Sequence, residues 1–430
     1  MQMNEKAYSV FDERLFSATL ANGLQINILP KADFQKTYAV FTTNLGSMDR
    51  NFRVGEQKLQ IPTGTAHFLE HKLFEKADYD AFQIFTRNGA DSNAFTSYSK
   101  TSYLFSATSR LKENLTTLLD FVQDPYFSSA SVAKEQGIIG QEIQMYNDDV
   151  DWQLYMGMMR NLFPKQALSE DIAGTSASIA QITPELLYKV HQVFYHPQNM
   201  HLFVTGNLDP QTVVDWVEEN QRQKQFTEFV QPVNLQKAEQ KILPVVEQSS
   251  AVYLANRPKV MLGIRNNRYL PAPGLERLKY LLTLDLGLYL LLSSSSKNYL
   301  KLYDEGLLDD TFGYDLNNER DELFLTMGGD SDHPQQLAAA LKEILRQGLT
   351  DTPELAADFA LAKKEMYGRC IARMNSLEAI ANSFEGALYG NATIFDEAQM
   401  FKEISLTEVI EALGQFVSEQ VISSFEIKPK

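Results

Sequence analysis

Two of the six histidines in this 430-residue sequence stand four positions apart in Thr65–Glu75, TAHFLEHKLFE, and a glutamate directly precedes the second. If the stretch is helical, side chains three and four apart share a face, so His67, Glu70 and His71 point the same way. A catalytic zinc site takes three protein ligands of nitrogen or oxygen and leaves one position for water. Two histidines one turn apart supply two of those ligands from a rigid element. A carboxylate beside them that does not ligate can accept a proton from water whose pKa the metal lowers towards about 7. His-x-x-Glu-His is the familiar zinc-helix motif in reversed order. By composition, an accidental match has odds on the order of 1% or below. A histidine-bearing amphipathic helix is therefore the weaker reading.

The third ligand is expected to be a carboxylate on another element. Residues 134–149, KEQGIIGQEIQMYNDD, place Glu135 and Glu142 seven apart, on one helical face, with Ile138, Ile139 and Ile143 as apolar neighbours that turn this face towards a core. Glu142 is the candidate ligand, and Glu135 the group that orients a histidine or Glu70 from behind. The competing reading is a pair of solvated glutamates on an exposed face. Gly137 and Gly140 each cost about 1 kcal/mol relative to Ala inside a helix, which points to close approach of another backbone there.

These two segments need a scaffold. Residues 16–47 carry two apolar runs rich in β-branched residues, with Asn22-Gly23 as a turn between them. Helical periodicity covers Thr65 to Arg87, and residues 90–109 return to strand composition. A helix ends near Pro125, another starts near Ser131, and a third has Pro184 in its first turn and stops before Pro197. A strand at 201–206 and a helix at 210–224 follow. Residues 233–246 lie in a polar, proline-containing stretch without periodicity and are the expected linker. Beyond it the order repeats, with a strand at Lys259–Ile264, a long apolar helix from Gly274, strands near Asp309–Gly329 and helices to the end. The expectation is an α+β protein of two homologous halves, residues 1–232 and 247–430, each a mainly antiparallel sheet with helices packed on one face.

Composition narrows the function. A net charge of −16 argues against nucleic acid as partner, since phosphate binding needs clustered Lys and Arg. The most apolar run, LKYLLTLDLGLYLLLSSSS, is broken by Asp285 and Gly287 and reads as a buried helix rather than a membrane span. Cys370 stands alone, so no intrachain disulfide forms, and it reads as a small buried hydrophobe. No apolar core follows a basic head near Met1, so a cytoplasmic location is expected. His191, His196 and His201 lack metal spacing to one another and read as structural, and His333 falls in a polar turn.

The segments GTAHFLEHKLFEK and EQGIIGQEIQMYNDD resemble the zinc helix and the downstream ligand helix of the pitrilysin/insulinase family of zinc peptidases. GADSNAFTSYSKTSYLFS resembles its active-site edge strand, and FYHPQNMHLFVTGNLD its end-of-domain signature. The resemblance implies one Zn2+ per chain on His67, His71 and Glu142, with Glu70 as general base and Glu135 in support. It implies peptide hydrolysis, with an extended substrate beside Asn93, Ala94, Phe95 and Thr96; read from the residues alone, that stretch is a plain edge strand. The family's second half contributes an Arg and a Tyr that grip the substrate. Here Tyr314 corresponds to the Tyr, while Tyr303 or Asp304 stands at the Arg position. The length matches half-size bacterial members and one subunit of mitochondrial processing peptidase. A heterodimer with a paralogue lacking the zinc motif is therefore expected, with a homodimer as the other possibility. Two further functions are compatible: a catalytically silent binding or scaffold subunit, and a maturation protease dedicated to one peptide or protein factor.

Overall fold

The computed structural model describes residues 3–235, 242–268, 270–384, 390–418 and 420–430. The chain forms two compact units, Met1–Met145 with Glu170–Lys241 and Ser376–Phe384, and Tyr146–Ser169 with Ile242–Asn375 and Glu385–Lys430. The units do not follow one cut in the chain, and of the 233–246 connection residues 236–241 lie outside the described residues.

Among its described residues the first unit holds ten strands: β1 (Asn4–Tyr8), β2 (Glu13–Thr19), β3 (Gln25–Pro30), β4 (Thr37–Thr43), β5 (Asn51–Val54), β6 (Gln57–Gln60), β7 (Ala90–Thr96), β8 (Thr101–Ala107), β9 (Met200–Gly206) and β10 (Val233–Asn234). Seven of them pair in the order β1-β2-β3-β9-β4-β8-β7, antiparallel except for the β3/β9 pair. β5, β6 and β10 make a separate small sheet.

All seven residues of β4 are buried, which accounts for its unbroken Tyr38-Ala39-Val40-Phe41 run in place of an alternation. Phe41 pairs with Tyr103 and Leu202, and Tyr103 meets Phe121 edge-on at 5.6 Å on the face that the main helices cover. Val40 pairs with Phe203 on the other face, where Phe203 packs on Phe384 at 4.5 Å, beside the short helix Leu377–Asn382.

The helices that build the site are α1 (Thr65–Leu73), α2 (Ala81–Arg87), α3 (Leu111–Gln123) and α4 (Ser129–Asp148). The single helix expected over Thr65–Arg87 is thus two. Glu75 and Asp80 bridge antiparallel between them, and Asp80 starts α2 by accepting from the Phe82 amide at 2.8 Å.

The second unit carries β11 (Gln248–Tyr253), β12 (Lys259–Arg265), β13 (Gly313–Glu319), β14 (Glu322–Asp330) and β15 (Ile422–Pro429), ordered β11-β15-β12-β14-β13. β11 and β15 are parallel and the remaining pairs antiparallel. In chain order and direction this matches β3-β9-β4-β8-β7 strand for strand, so both units are built on one five-strand frame. The apolar helix Leu275–Leu292 packs Leu284, Leu288 and Leu291 into a core with Leu262, Leu325 and Leu341.

His191 lies in the helix Pro184–Phe194, buried, with its Nε2 2.9 Å from the Val122 carbonyl and its ring stacked on Tyr195. Burial pulls its pKa down to about 4. The unfolded chain takes up this proton near pH 6.5, whereas the folded chain refuses it until about pH 4, so stability falls as pH drops through that window. At pH 5 this one group is expected to have removed about 2 kcal/mol. Urea titrations at pH 7 and pH 5 check this: His191→Gln should flatten the pH dependence, and an unchanged slope contradicts the assignment.

Candidate metal centre

Gly64 stands at the start of α1 with φ 87°, and a Cβ there would lie 2.5 Å from the Ala173 carbonyl oxygen. Positive φ and this close approach both require glycine, and they fix how α1 enters the core. Phe68, Leu69 and Leu73 then anchor the helix with no exposed surface. One turn apart on the same helix, the His67 and His71 rings stand 4.5 Å centre to centre. Helix α4 supplies the facing carboxylate. Glu142 Oε1 is 3.7 Å from His67 Nε2, and its Oε2 is 3.7 Å from His71 Nε2.

One donor atom from each of His67, His71 and Glu142 falls within 4.8 Å of the others. In a tetrahedral zinc site with ligand bonds of about 2.0–2.1 Å, donors lie about 3.3 Å apart. Each histidine Nε2 stands 3.7 Å from one of the two Glu142 oxygens, a few tenths of an ångström beyond that spacing. Two imidazoles and one carboxylate are a donor set zinc accepts while keeping a position open.

The surroundings suit an ion more than they suit the bare side chains. Burial, with His71 beside it, pulls the His67 pKa down to about 3, so its imidazole stays neutral and able to ligate. Its Nδ1 is buried with no hydrogen-bond partner among the described residues. Burial also lowers the His71 pKa, but the hydrogen bond with Glu135 and the charges of Glu70, Glu135 and Glu142 outweigh it, and the net shift is upward. Glu135 Oε1 accepts from His71 Nδ1 at 3.1 Å, which leaves Nε2 facing Glu142 as the free donor. Glu135 itself is lowered: burial pushes it up, but its hydrogen bond with His71 and the charges of His71, Lys72 and Lys134 win.

Glu70 is buried, which pushes its pKa up against the opposing hydrogen bond from Thr96. Thr96 Oγ1 donates to Glu70 Oε2 at 2.5 Å and so ties the carboxylate to the edge strand β7. Asn93, Ala94 and Phe95 lie on the same strand, which pairs with β8 on one side and ends the sheet. Tyr314 belongs to the second unit, on β13, where burial raises its phenol pKa.

The sequence placed Thr96 on the substrate strand but gave no sign of its contact with Glu70, and it gave no role to Lys72. Thr96 holds Glu70 with its side chain, a contact spanning 26 positions that no local pattern announces. Lys72 is completely buried, with Nζ 2.6 Å from Glu75 and 3.8 Å from Glu135. A buried ammonium is tolerated only with such partners, and its signal was a lysine next to His71 with a glutamate three positions on. Two expectations for α4 fail. Among the described residues of this chain, nothing lies within 4 Å of a Cβ at Gly137 or Gly140, so no described backbone approaches them. Ile138 is 44% exposed, and of the three isoleucines only Ile139 and Ile143 join the buried stripe.

Two family models match the chain. The profile described as Insulinase (Peptidase family M16) matches residues 60–176, and that described as Peptidase M16 inactive domain matches residues 181–365. The chain belongs to the M16 peptidase family. It is 40% identical to the "Uncharacterized zinc protease YmfH" of Bacillus subtilis over 426 residues, covering 98% of both chains. Among solved structures, an M16-like peptidase from Alicyclobacillus acidocaldarius superposes with TM-score 0.89 at 28% identity, covering 100% of this chain and 99% of that one. A protease from Helicobacter pylori shares the fold, with TM-score 0.79 at 19% identity over 97% of this chain and 100% of that one. Among the described residues, no helix is long and apolar enough to cross a membrane.

The His71–Glu135 contact makes a prediction separate from activity. Glu135→Gln keeps the shape but removes the charge behind His71, so zinc affinity should fall by about 10–100-fold. Competition with a chromophoric chelator measures this, and an unchanged affinity contradicts the role given to Glu135.

Proposed function

We propose that the chain is a zinc-dependent metallopeptidase subunit that hydrolyses peptide bonds in extended peptides. The observation that carries this reading is the three-donor cluster of His67, His71 and Glu142 with the buried Glu70 carboxylate beside it, held by an edge strand. A zinc ion on those three residues supplies Lewis acidity towards a water and a peptide carbonyl. Glu70 takes the water's proton and later passes it to the leaving amine; burial raises its pKa towards the range that task needs. Glu135 holds His71 in the tautomer that keeps Nε2 as donor. The free edge of β7 at Asn93–Thr96 receives the peptide as an added strand, since backbone pairing tolerates many sequences. Because Thr96 lies on that strand and grips Glu70, the element that aligns the substrate also positions the base.

On the family resemblance, Tyr314 grips the substrate carbonyl in the assembled enzyme. Its expected Arg companion is lacking, with Tyr303 and Asp304 at that place in the helix Lys297–Asp304. A partner chain without the zinc motif therefore completes the site, and a homodimer lacks the Arg. A cytoplasmic location fits the lone thiol of Cys370, which is buried with a pKa pushed up to about 11. The missing Arg also favours a second reading, a subunit that binds metal and peptide without turnover.

Peptide cleavage by the zinc-loaded chain, alone and with a motif-lacking relative, separates these readings. Cleavage is expected with the relative present and should drop by at least about 10²–10⁴-fold in Glu70→Gln. Activity that survives this substitution overturns the mechanism, and full activity of the chain alone overturns the need for a partner.

A further inference from the structure

The second unit repeats the five-strand frame and, with it, the place where the first unit keeps its candidate metal centre. The helix Leu275–Leu292 follows the second frame strand as α1 does, and β13 is the edge strand as β7 is. The helix Pro353–Arg373 comes second after the β13–β14 hairpin, as α4 does after β7–β8. In place of metal ligands these elements carry Asp285 and Tyr289, Tyr314, and Glu365 and Arg369. A cavity of about 660 Å³ opens among them, walled further by Tyr299 and Phe312.

Its charges are unequally satisfied. Glu365 accepts from the Tyr289 hydroxyl and, at 2.7 Å, from Arg369, whose guanidinium lies 5.5 Å over the Tyr289 ring. Arg369 thus has Glu365 as its partner, and its charge also reaches Asp285, where it opposes the upward effect of burial. Asp285 has no hydrogen bond and no ion pair among the described residues, although burial pushes its carboxyl up to about 6. Exposed Asp310 adds a further carboxylate at the rim. A largely enclosed carboxylate without a donor is costly, and a ligand that brings the donor removes the cost. A carboxylate set among four aromatic rings is the environment that receives an organic cation, through a charge-assisted hydrogen bond and the ring faces.

We propose that this cavity binds a positively charged group of a peptide, an arginine or lysine side chain or a terminal amine, with Asp285 as acceptor and the rings of Tyr289, Tyr299, Phe312 and Tyr314 as walls. This deepens the reading of the chain as a peptide-acting protein by giving it a charge preference located in the second unit.

Binding rather than cleavage tests it, so that the preference and the peptidase mechanism fail separately. Labelled peptides of about ten residues, capped at both ends, carry one arginine at each position in turn or its uncharged isostere citrulline. Fluorescence anisotropy with the full chain bearing Glu70→Gln reads their affinities. A further peptide with a free amino terminus and no arginine distinguishes the terminal amine from a side chain as the source of the cation. At least one cationic peptide should bind about tenfold more tightly than its neutral counterpart, and Asp285→Asn should level the pair to within about twofold. Circular dichroism and the thermal midpoint verify that Asp285→Asn is folded; if it is not, Tyr299→Leu strips one wall and should lower the preference as well. Equal or absent binding of cationic and neutral peptides overturns the proposal. So does a preference that persists undiminished in Asp285→Asn, because it then arises from the overall negative charge of the chain.

Discussion

The hydrogen bond between His71 Nδ1 and Glu135 Oε1, 3.1 Å long, joins two helices that are far apart in the chain and sets the terms for the groups around it. It fixes which nitrogen of His71 faces Glu142, and it gives Glu135 a partner in a place where an isolated carboxylate would be unfavourable. It also sits above Lys72, whose buried ammonium balances Glu75 and Glu135 together. Four carboxylates (Glu70, Glu75, Glu135 and Glu142), two imidazoles and an ammonium share one small volume, and they are compatible because most of them face a group of the other sign or a hydrogen-bond partner. A divalent cation held by His67, His71 and Glu142 would extend the same logic by placing positive charge opposite the carboxylate that faces both rings.

What local pattern dictates was legible in the sequence. Four-residue spacing puts His67 and His71 on one face, and seven-residue spacing does the same for Glu135 and Glu142, because both follow from helix geometry alone. The α+β alternation was equally legible, since β4 shows its burial in an unbroken apolar run and the helices show theirs in their periodicity. What depends on contacts remote in sequence was not. The parallel pairing of β3 with β9 joins Gln25 to His201, and no turn signal encodes it. Thr96 looked like part of a substrate strand, and its grip on Glu70 became visible only when β7 was seen beside α1.

The α4 glycines are instructive because a correct local principle led to a wrong spatial inference. Glycine does weaken a helix interior, but that cost can be tolerated by a twenty-residue helix anchored through Val132, Ile139 and Ile143 without any close neighbour in return. Gly64 shows the contrasting case. There a positive φ coincides with a carbonyl 2.5 Å from the virtual Cβ, and substitution would displace the entry of the whole helix. The cost of a glycine is a property of its element, whereas the reason for it has to be sought in what surrounds it.

The shared frame explains why two halves with little sequence in common can carry related but different sites. In each unit a helix follows the second frame strand and supplies polar groups near the edge strand. In the first unit Glu70 meets Thr96 there. In the second, Asp285 and Tyr314 line one cavity. The frame fixes where polar groups can gather, and the side chains decide what they do. α1 is nine residues long, entered through a strained glycine, and carries two imidazoles. Its counterpart has eighteen residues, holds itself by leucine packing, and keeps Asp285 as an acid in its middle, among leucines. From sequence that aspartate read as a break in an apolar run. In the fold it lines a cavity and has no donor among the described residues, and a helix so heavily committed to its core retains such a group at a real cost in stability.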